Sequence, residues 1–253
     1  MTTPDPQILQ RPGLPDIAYR KLDGAGPTVV FLHGLRSDME GTKALALEAH
    51  CRTRGQAFLR FDCSGHGQSG GEFTDGTIGQ WAVDALAVID AVTDGPLILV
   101  GSSMGGWIAL LVALARKERV SGYIGIAAAP DFTEDLMWAT YSEAVRNEIV
   151  EQGIYMEPSD YGDPLPVTRL LIEEGRNYLL LRGAIELDCP VRLIQGMRDA
   201  DVPAETALRI MECVDSTDVD VTLVKDGDHR LSEPRDLARL TDCLDALLAQ
   251  MTA

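Results

Sequence analysis

The chain is short of basic residues, of paired cysteines, of histidine and of long apolar runs, and each shortage excludes something. Lys and Arg number 22 against 39 Asp and Glu, for a formal net charge of −17 at pH 7. Such a chain repels nucleic acid phosphates and anionic membrane surfaces, so neither is expected as a partner. No apolar stretch approaches the ~20 residues that cross a bilayer, so no membrane span is expected. The five cysteines (Cys51, Cys63, Cys189, Cys213, Cys243) are odd in number and form no Cys-x-x-Cys pair. That argues against a zinc site or a disulfide framework and leaves reduced thiols as the expectation. Met1 to Pro15 has no basic start leading into an apolar run, and it carries little Arg. Neither a secretory signal nor a transit peptide is expected. The expected compartment is cytoplasmic, or mitochondrial where a presequence has been removed.

What is present is a globular composition in 253 residues, enough for one large α/β domain with a substantial core. Short apolar runs recur at 28–32, 57–62, 97–100, 122–127, 191–195 and 219–224. Runs of this kind suit strands covered on both faces, as in a parallel sheet. Helical patterns lie between them at 42–54, 78–92, 104–116 and 237–248. Gly55 is a natural stop for the first. Alternation of this sort predicts a single α/β domain, 1–253, with a mostly parallel sheet and helices on both faces. The stretch from Asp131 to Leu187 breaks the rhythm. It shows no clear strand and two helix candidates, 134–152 and 167–180, separated by Pro158, Pro164 and Pro166. It is expected to be a helical lid insertion over the end of the sheet.

Between the strand Leu97 to Val100 and the helix from Met104 lies Gly101-Ser-Ser-Met-Gly105. This is Gly-x-Ser-x-Gly in the strand–turn–helix context its mechanism needs. The turn is too tight for side chains two positions either side of the nucleophile, hence the two glycines. Ser103 is the expected nucleophile, Ser102 its competitor. The backbone N–H of Met104 is placed to stabilise a developing oxyanion. His33-Gly34-Leu35, directly after a strand, resembles the His-Gly turn in which the next backbone N–H, here Leu35, completes that hole.

A serine hydroxyl needs a base, and the base an acid. The histidines are His33, His50, His66 and His229. In the order nucleophile, acid, histidine, only His229 follows Ser103. The acid is expected after the strand 190–195, where Gly196-Met-Arg-Asp199-Ala-Asp201-Val-Pro203 follows. Asp199 is favoured and Asp201 is its rival; Asp228 reads as a loop charge. Gly65-His-Gly67-Gln-Ser-Gly70 matches a dinucleotide fingerprint in letters. It does not lead straight into a helix, which argues against a nucleotide site. No cofactor or metal is expected.

At these residues the chain resembles the α/β-hydrolase-fold family. Within it the chain is similar to the mitochondrial α/β-hydrolase-domain palmitoyl-protein thioesterases, which also act as acyl-glucuronide esterases. The resemblance rests on 33–34 with 36–39, 41–47, 60–62 with 64–65, 101–103 with 105–107, 196–197 with 199, 216–221 and 228–230, and departs mostly within 131–187. It implies a serine esterase with Ser103, Asp199 and His229 as its triad, acting on a small-molecule ester or acyl thioester or on an acylated protein. The insertion carries Leu136, Met137, Trp138, Tyr141, Ile154, Tyr155 and Met156, which suit either a lid over an acyl chain or helix packing. Trp138, Tyr141 and Tyr155 are the candidate substrate contacts. The alternatives are a peptidase or carbon–carbon hydrolase on the same fold, or a non-catalytic ligand receptor. Oligomeric state is not legible in these residues.

Overall fold

A computed structural model describes residues 5–158 and 163–251. Eight strands form one sheet in the order β1-β2-β4-β3-β5-β6-β9-β10. They are β1 (Gln7–Leu9), β2 (Ile17–Leu22), β3 (Ala25–Leu32), β4 (Gln56–Phe61), β5 (Leu97–Ser102), β6 (Val120–Ile126), β9 (Val191–Gly196) and β10 (Val219–Val224). From β4 to β10 all pairings are parallel; β2 joins β4, and β1 joins β2, antiparallel.

The apolar runs form strands because both faces are covered. Along β3 and β5, successive side chains point to opposite faces, as the pleat requires. Val30, Leu32, Leu97 and Leu99 pack with α2 (Ile78–Val92) and α3 (Met104–Ala115). Val29, Phe31, Ile98 and Val100 pack with α1 (Thr42–Arg54) and α7 (Pro234–Gln250). Local chemistry sets the helix ends. Gly55 closes α1 at φ +65°, and Thr77 caps α2 by accepting from the Gln80 N–H at 3.1 Å. The amphipathic helix α6 (Ala204–Cys213) adds to the expected set, burying Ala207 and Ile210. Among the described residues no helix is long and apolar enough to cross a membrane.

The segment between β6 and β9 differs from its expected all-helical form. It contains a π-helical turn (Thr133–Trp138), α4 (Glu143–Gln152) and α5 (Arg169–Gly175). Between the helices stands an antiparallel pair, β7 (Ile154–Glu157) and β8 (Leu165–Thr168). The expected helix 134–152 breaks at 139–142 because Ser142 starts a new one, its hydroxyl accepting from the Val145 N–H at 3.3 Å. The expected helix 167–180 begins late because Val167 and Thr168 are in the strand and Thr168 caps α5, accepting from the Leu171 N–H at 3.0 Å. Asp131 ties the segment's entry to its exit. Its buried carboxyl accepts from the Leu180 and Leu181 N–H groups at 2.7 and 2.9 Å.

Candidate active site

Four strand ends supply the site. β3 and β5 are sheet neighbours, although the chain visits β4 between them. Their carboxyl ends therefore lie at a topological switch point, where open α/β sheets leave a crevice. Leu32 leads from β3 into His33 and Gly34; Ser102 leads from β5 into Ser103. Asp199 follows β9, and His229 follows β10.

Ser103 sits at φ +54° and ψ −121°, a conformation that costs a non-glycine residue about 1–3 kcal/mol. Its surroundings enforce it. The Ser103 N–H donates to Ile126 O at 2.9 Å, and its carbonyl accepts from Gly106 and Ala129 at 2.8 and 3.1 Å. The flanking glycines are sterically required. A Cβ on Gly101 would fall 2.3 Å from Gly105 O, and one on Gly105 would fall 2.1 Å from Leu32 O. With its backbone tied, Ser103 has one free polar end, its hydroxyl.

That hydroxyl oxygen lies 3.1 Å from His229 Nε2, and His229 Nδ1 lies 2.8 Å from Asp199 Oδ2. The Asp199 side chain is fully buried, and that of His229 is 18% exposed. Burial alone would raise the Asp199 carboxyl. The hydrogen bond and charge of His229, with N–H groups of Val202 and Asp201, outweigh it and hold the carboxyl below its usual range. An ionised Asp199 fixes the proton of neutral His229 on Nδ1. The Nε2 lone pair then faces Ser103, as a general base requires.

Asp201, the rival acid, takes a supporting part. Its backbone N–H donates to Asp199 Oδ1 at 2.9 Å, beside that of Val202 at 2.8 Å. Asp228 accepts from the Leu231 N–H at 3.0 Å and braces the loop that carries His229. Potential ligand atoms of Asp199, Asp201 and His229 lie within 4.8 Å of one another. Two of the three are already engaged in the hydrogen-bonded relay to Ser103. Gln195 was not legible as a site residue. Its Nε2 donates to Asp199 Oδ2 and to Val202 O, both at 3.0 Å. The one signal in the sequence is a polar residue at the buried end of an apolar strand.

Leu35 and Met104 flank Ser103 in one cavity. Among the described residues neither backbone N–H has an acceptor. The turn carrying Leu35 is held by His33, whose Nε2 accepts from the Cys63 N–H at 3.1 Å. The His33 proton is therefore on Nδ1, donated to Gly34 O at 2.8 Å. Burial keeps His33 neutral by lowering its pKa. His66 packs against it with ring centroids 4.9 Å apart. His50 is remote and pairs with Asp245 at 2.6 Å. The glycine-rich turn at Gly65 to Gly70 is structural: Asp62 accepts from the Gln68 N–H at 2.7 Å, and Gly67 has no room for a Cβ beside it.

Two cavities meet at Ser103, His229 and Leu165. One, of about 390 Å³, is lined by many apolar side chains, among them Leu35, Met104, Phe132, Leu136, Met137 and Val202, with the Glu157 and Asp201 carboxylates also on its wall. The other, of about 420 Å³, is polar, with Arg36, Ser37, Asp38, Thr42, Lys43 and Ser232 on its walls. Trp138, Tyr141 and Tyr155, the expected substrate contacts, line neither cavity. They pack around Ile149, Val167 and Ile172 in a small core of the insertion's own. Trp138 is further occupied by the Arg146 and Arg176 guanidinium groups, 5.6 and 5.0 Å from its ring. The insertion must bury its own apolar surface before it can offer any to a substrate. Leu136 and Met137, on the π-helical turn, line the cavity beside Ser103, together with Phe132, Glu157, Pro158 and Leu165 of the same segment.

A family model described as serine aminopeptidase, S33, matches residues 25–154. The chain is 42% identical over 247 residues to palmitoyl-protein thioesterase ABHD10, mitochondrial, of Homo sapiens, covering 97% of this chain and 80% of that one. The solved structure of alpha/beta hydrolase domain-containing protein 10 from mouse superimposes with a TM-score of 0.91 at 39% identity, over 98% of this chain and 100% of that one. A protein from Agrobacterium vitis S4 gives a TM-score of 0.91 at 44% identity, over 95% and 96% of the two chains.

Proposed function

The chain belongs to the α/β-hydrolase family of serine hydrolases, and on that premise we propose that Ser103, His229 and Asp199 carry acyl transfer from an ester or thioester to water. The enzyme is an ester or thioester hydrolase; what is proposed is which residues perform the reaction and which half of the substrate goes where. One observation carries the assignment: the relay from Ser103 Oγ through His229 to Asp199, at 3.1 and 2.8 Å.

In the first half-reaction His229 Nε2 takes the hydroxyl proton as Ser103 Oγ attacks the acyl carbon. Asp199 stabilises the resulting imidazolium. The Leu35 and Met104 N–H groups hold the oxyanion, each worth ~10²–10³ in rate by analogy with measured holes. The tetrahedral intermediate collapses, the bond to the leaving oxygen or sulfur breaks, and His229 returns its proton to that atom. Water then attacks the acyl-enzyme with His229 again as base, and the free acid departs.

The two cavities divide the substrate. The apolar one suits the acyl chain, and the polar one suits the alcohol or thiol carrier. The relatives' name adds a substrate class: a palmitoyl thioester on a protein, as palmitoyl-protein thioesterase states of those proteins. A peptide-sized carrier requires a leaving-group side open to solvent, and the exposed residues Arg36, Ser37, Thr42 and Arg230 stand on the wall of the polar cavity.

A series of p-nitrophenyl acyl esters and acyl thioesters of increasing chain length, measured as kcat/KM, tests the reading. Wild type is expected to turn over both classes and to label with a fluorophosphonate probe, and Ser103→Ala to do neither. Turnover by Ser103→Ala near the wild-type level would sink the assignment. An unlabelled, inactive wild type would favour a receptor.

A further inference from the structure

Lys43 occupies an expensive position. It stands in the first turn of α1, where the free N–H groups of the helix disfavour a cation. That turn has no acidic residue, and Gly41 offers no side-chain cap. The ammonium is also partly buried. Burial lowers its pKa to about 8, opposed by the Asp228 and Asp236 carboxylates and helped by Arg230. Such local conflicts concentrate where a side chain is needed for what it reaches.

Lys43 reaches the residue next to the catalytic base. Its Nζ donates to the backbone carbonyl of Arg230, and it lines the polar cavity together with Ser103 and His229. The loop carrying His229 is held at both ends. Before His229, the Arg198 N–H donates to Gly227 O at 2.9 Å. After it, Leu231 turns at φ +45° and Lys43 grips the carbonyl between. The charged groups around Lys43 are Asp228 and Arg230 on that loop, Asp236 on α7, and Arg36 and Asp38 on the cavity wall.

We propose that Lys43 is a positioning residue for His229: its hydrogen bond to Arg230 O fixes the backbone from which the imidazole reaches Ser103. This rests on the reading of His229 as the base. Lys43 touches no reacting atom. It converts the packing of α1 against the sheet into the placement of Nε2, where displacements of order 1 Å cost up to ~10²-fold in rate.

The test compares Lys43→Ala and Lys43→Gln on a p-nitrophenyl ester, with fluorophosphonate labelling and thermal melts alongside. Lys43→Ala removes the donor and the clash with the helix dipole together. It is expected to melt no lower than wild type, yet to lose ~10- to 100-fold in kcat with KM unchanged and labelling slowed in parallel. Lys43→Gln keeps an N–H donor and is expected to recover part of the loss. Lys43→Met, which keeps most of the volume, makes the same comparison if the alanine variant does not fold. In a His229→Ala background, Lys43→Ala is expected to add no further loss. Wild-type kcat and labelling in Lys43→Ala would overturn the proposal, as would a loss confined to KM or to melting temperature. Full activity in His229→Ala alone would instead overturn the assignment of the base.

Discussion

Gln195 Nε2 lies 3.0 Å from Asp199 Oδ2, the same oxygen that His229 Nδ1 approaches to 2.8 Å. The amide stops the carboxylate from turning away from the imidazole, and its own orientation is set by Val202 O. Gln195→Leu is expected to lower kcat by ~10- to 100-fold, the scale of one lost hydrogen bond to a charged group. Gln195→Glu is expected to lower it further, because a second carboxylate would face Asp199. Steady-state kinetics on one ester decides it; unchanged kcat in Gln195→Leu would refute the role.

Asp199 and Asp201 separate by mutation. Asp199→Asn is expected to cost ~10⁴ in kcat, since an amide at this position favours the wrong imidazole tautomer. Asp201→Asn keeps the backbone N–H that serves Asp199 and is expected to stay near wild type. The pH dependence of stability separates them as well. The folded pKa of Asp199 is depressed. Its contribution is therefore fully present above the unfolded value near 3.9 and lost as pH falls through the lower folded value. Urea unfolding at pH 7, 5 and 3.5 should show the gap between wild type and Asp199→Asn narrowing only below about pH 4.

His66, packed on His33, makes the turn after β3 acid-sensitive. Burial, with the nearby His33, lowers its pKa to about 3, and among the described residues its Nε2 is buried without a partner. The unfolded chain binds a proton below its usual value near 6.5, and the folded chain does not. The stabilising contribution is thus complete above that pH and is lost as pH falls toward 3, at about 1.4 kcal/mol per pH unit for the one proton. His66→Phe keeps ring contacts to Phe73 and Trp81, now 5.1 and 5.2 Å away. Urea unfolding between pH 6.5 and 4 should show a shallower slope in His66→Phe by one proton. Equal slopes would contradict this account.

The central strands were legible because β3, β5, β6 and β9 are buried on both faces and so read as apolar runs without partners being known. The turn that carries Ser103, the proposed nucleophile, was legible because its constraints are local: two glycines, a strand and a helix within a dozen residues. Chain order pointed to His229 as the histidine beside Ser103, and the two lie 3.1 Å apart. β2 was not legible, because Ile17–Leu22 carries Arg20 and Lys21 and becomes a strand by pairing with the distant β4, Tyr19 opposite Phe61 and Leu22 opposite Phe58. β8 was hidden for a similar reason. Its Pro166 argues against a strand, and only the pairing with Met156 at a two-stranded edge admits it. Apolar composition marked 131–187 as carrying a cluster, but not which members would face inward.

That last distinction yields a comparison of two insertion residues separated by one position. Leu136 lines the apolar cavity beside Ser103, and Trp138 packs away from it under two arginines. Leu136→Ala is expected to change kcat/KM in a way that depends on acyl length, losing about 1–3 kcal/mol of discrimination for chains that reach it. Its melting temperature should change little, because Leu136 is only partly buried. Trp138→Ala is expected to do the reverse. It removes packing from the small core with Ile149, Val167 and Ile172 and should lower stability by about 1–3 kcal/mol. Its effect on kcat/KM should be the same for short and long chains. An acyl-length series run on both variants beside their melting curves separates the roles. A length-dependent change in Trp138→Ala alone would return that residue to the substrate and make Leu136 a packing residue.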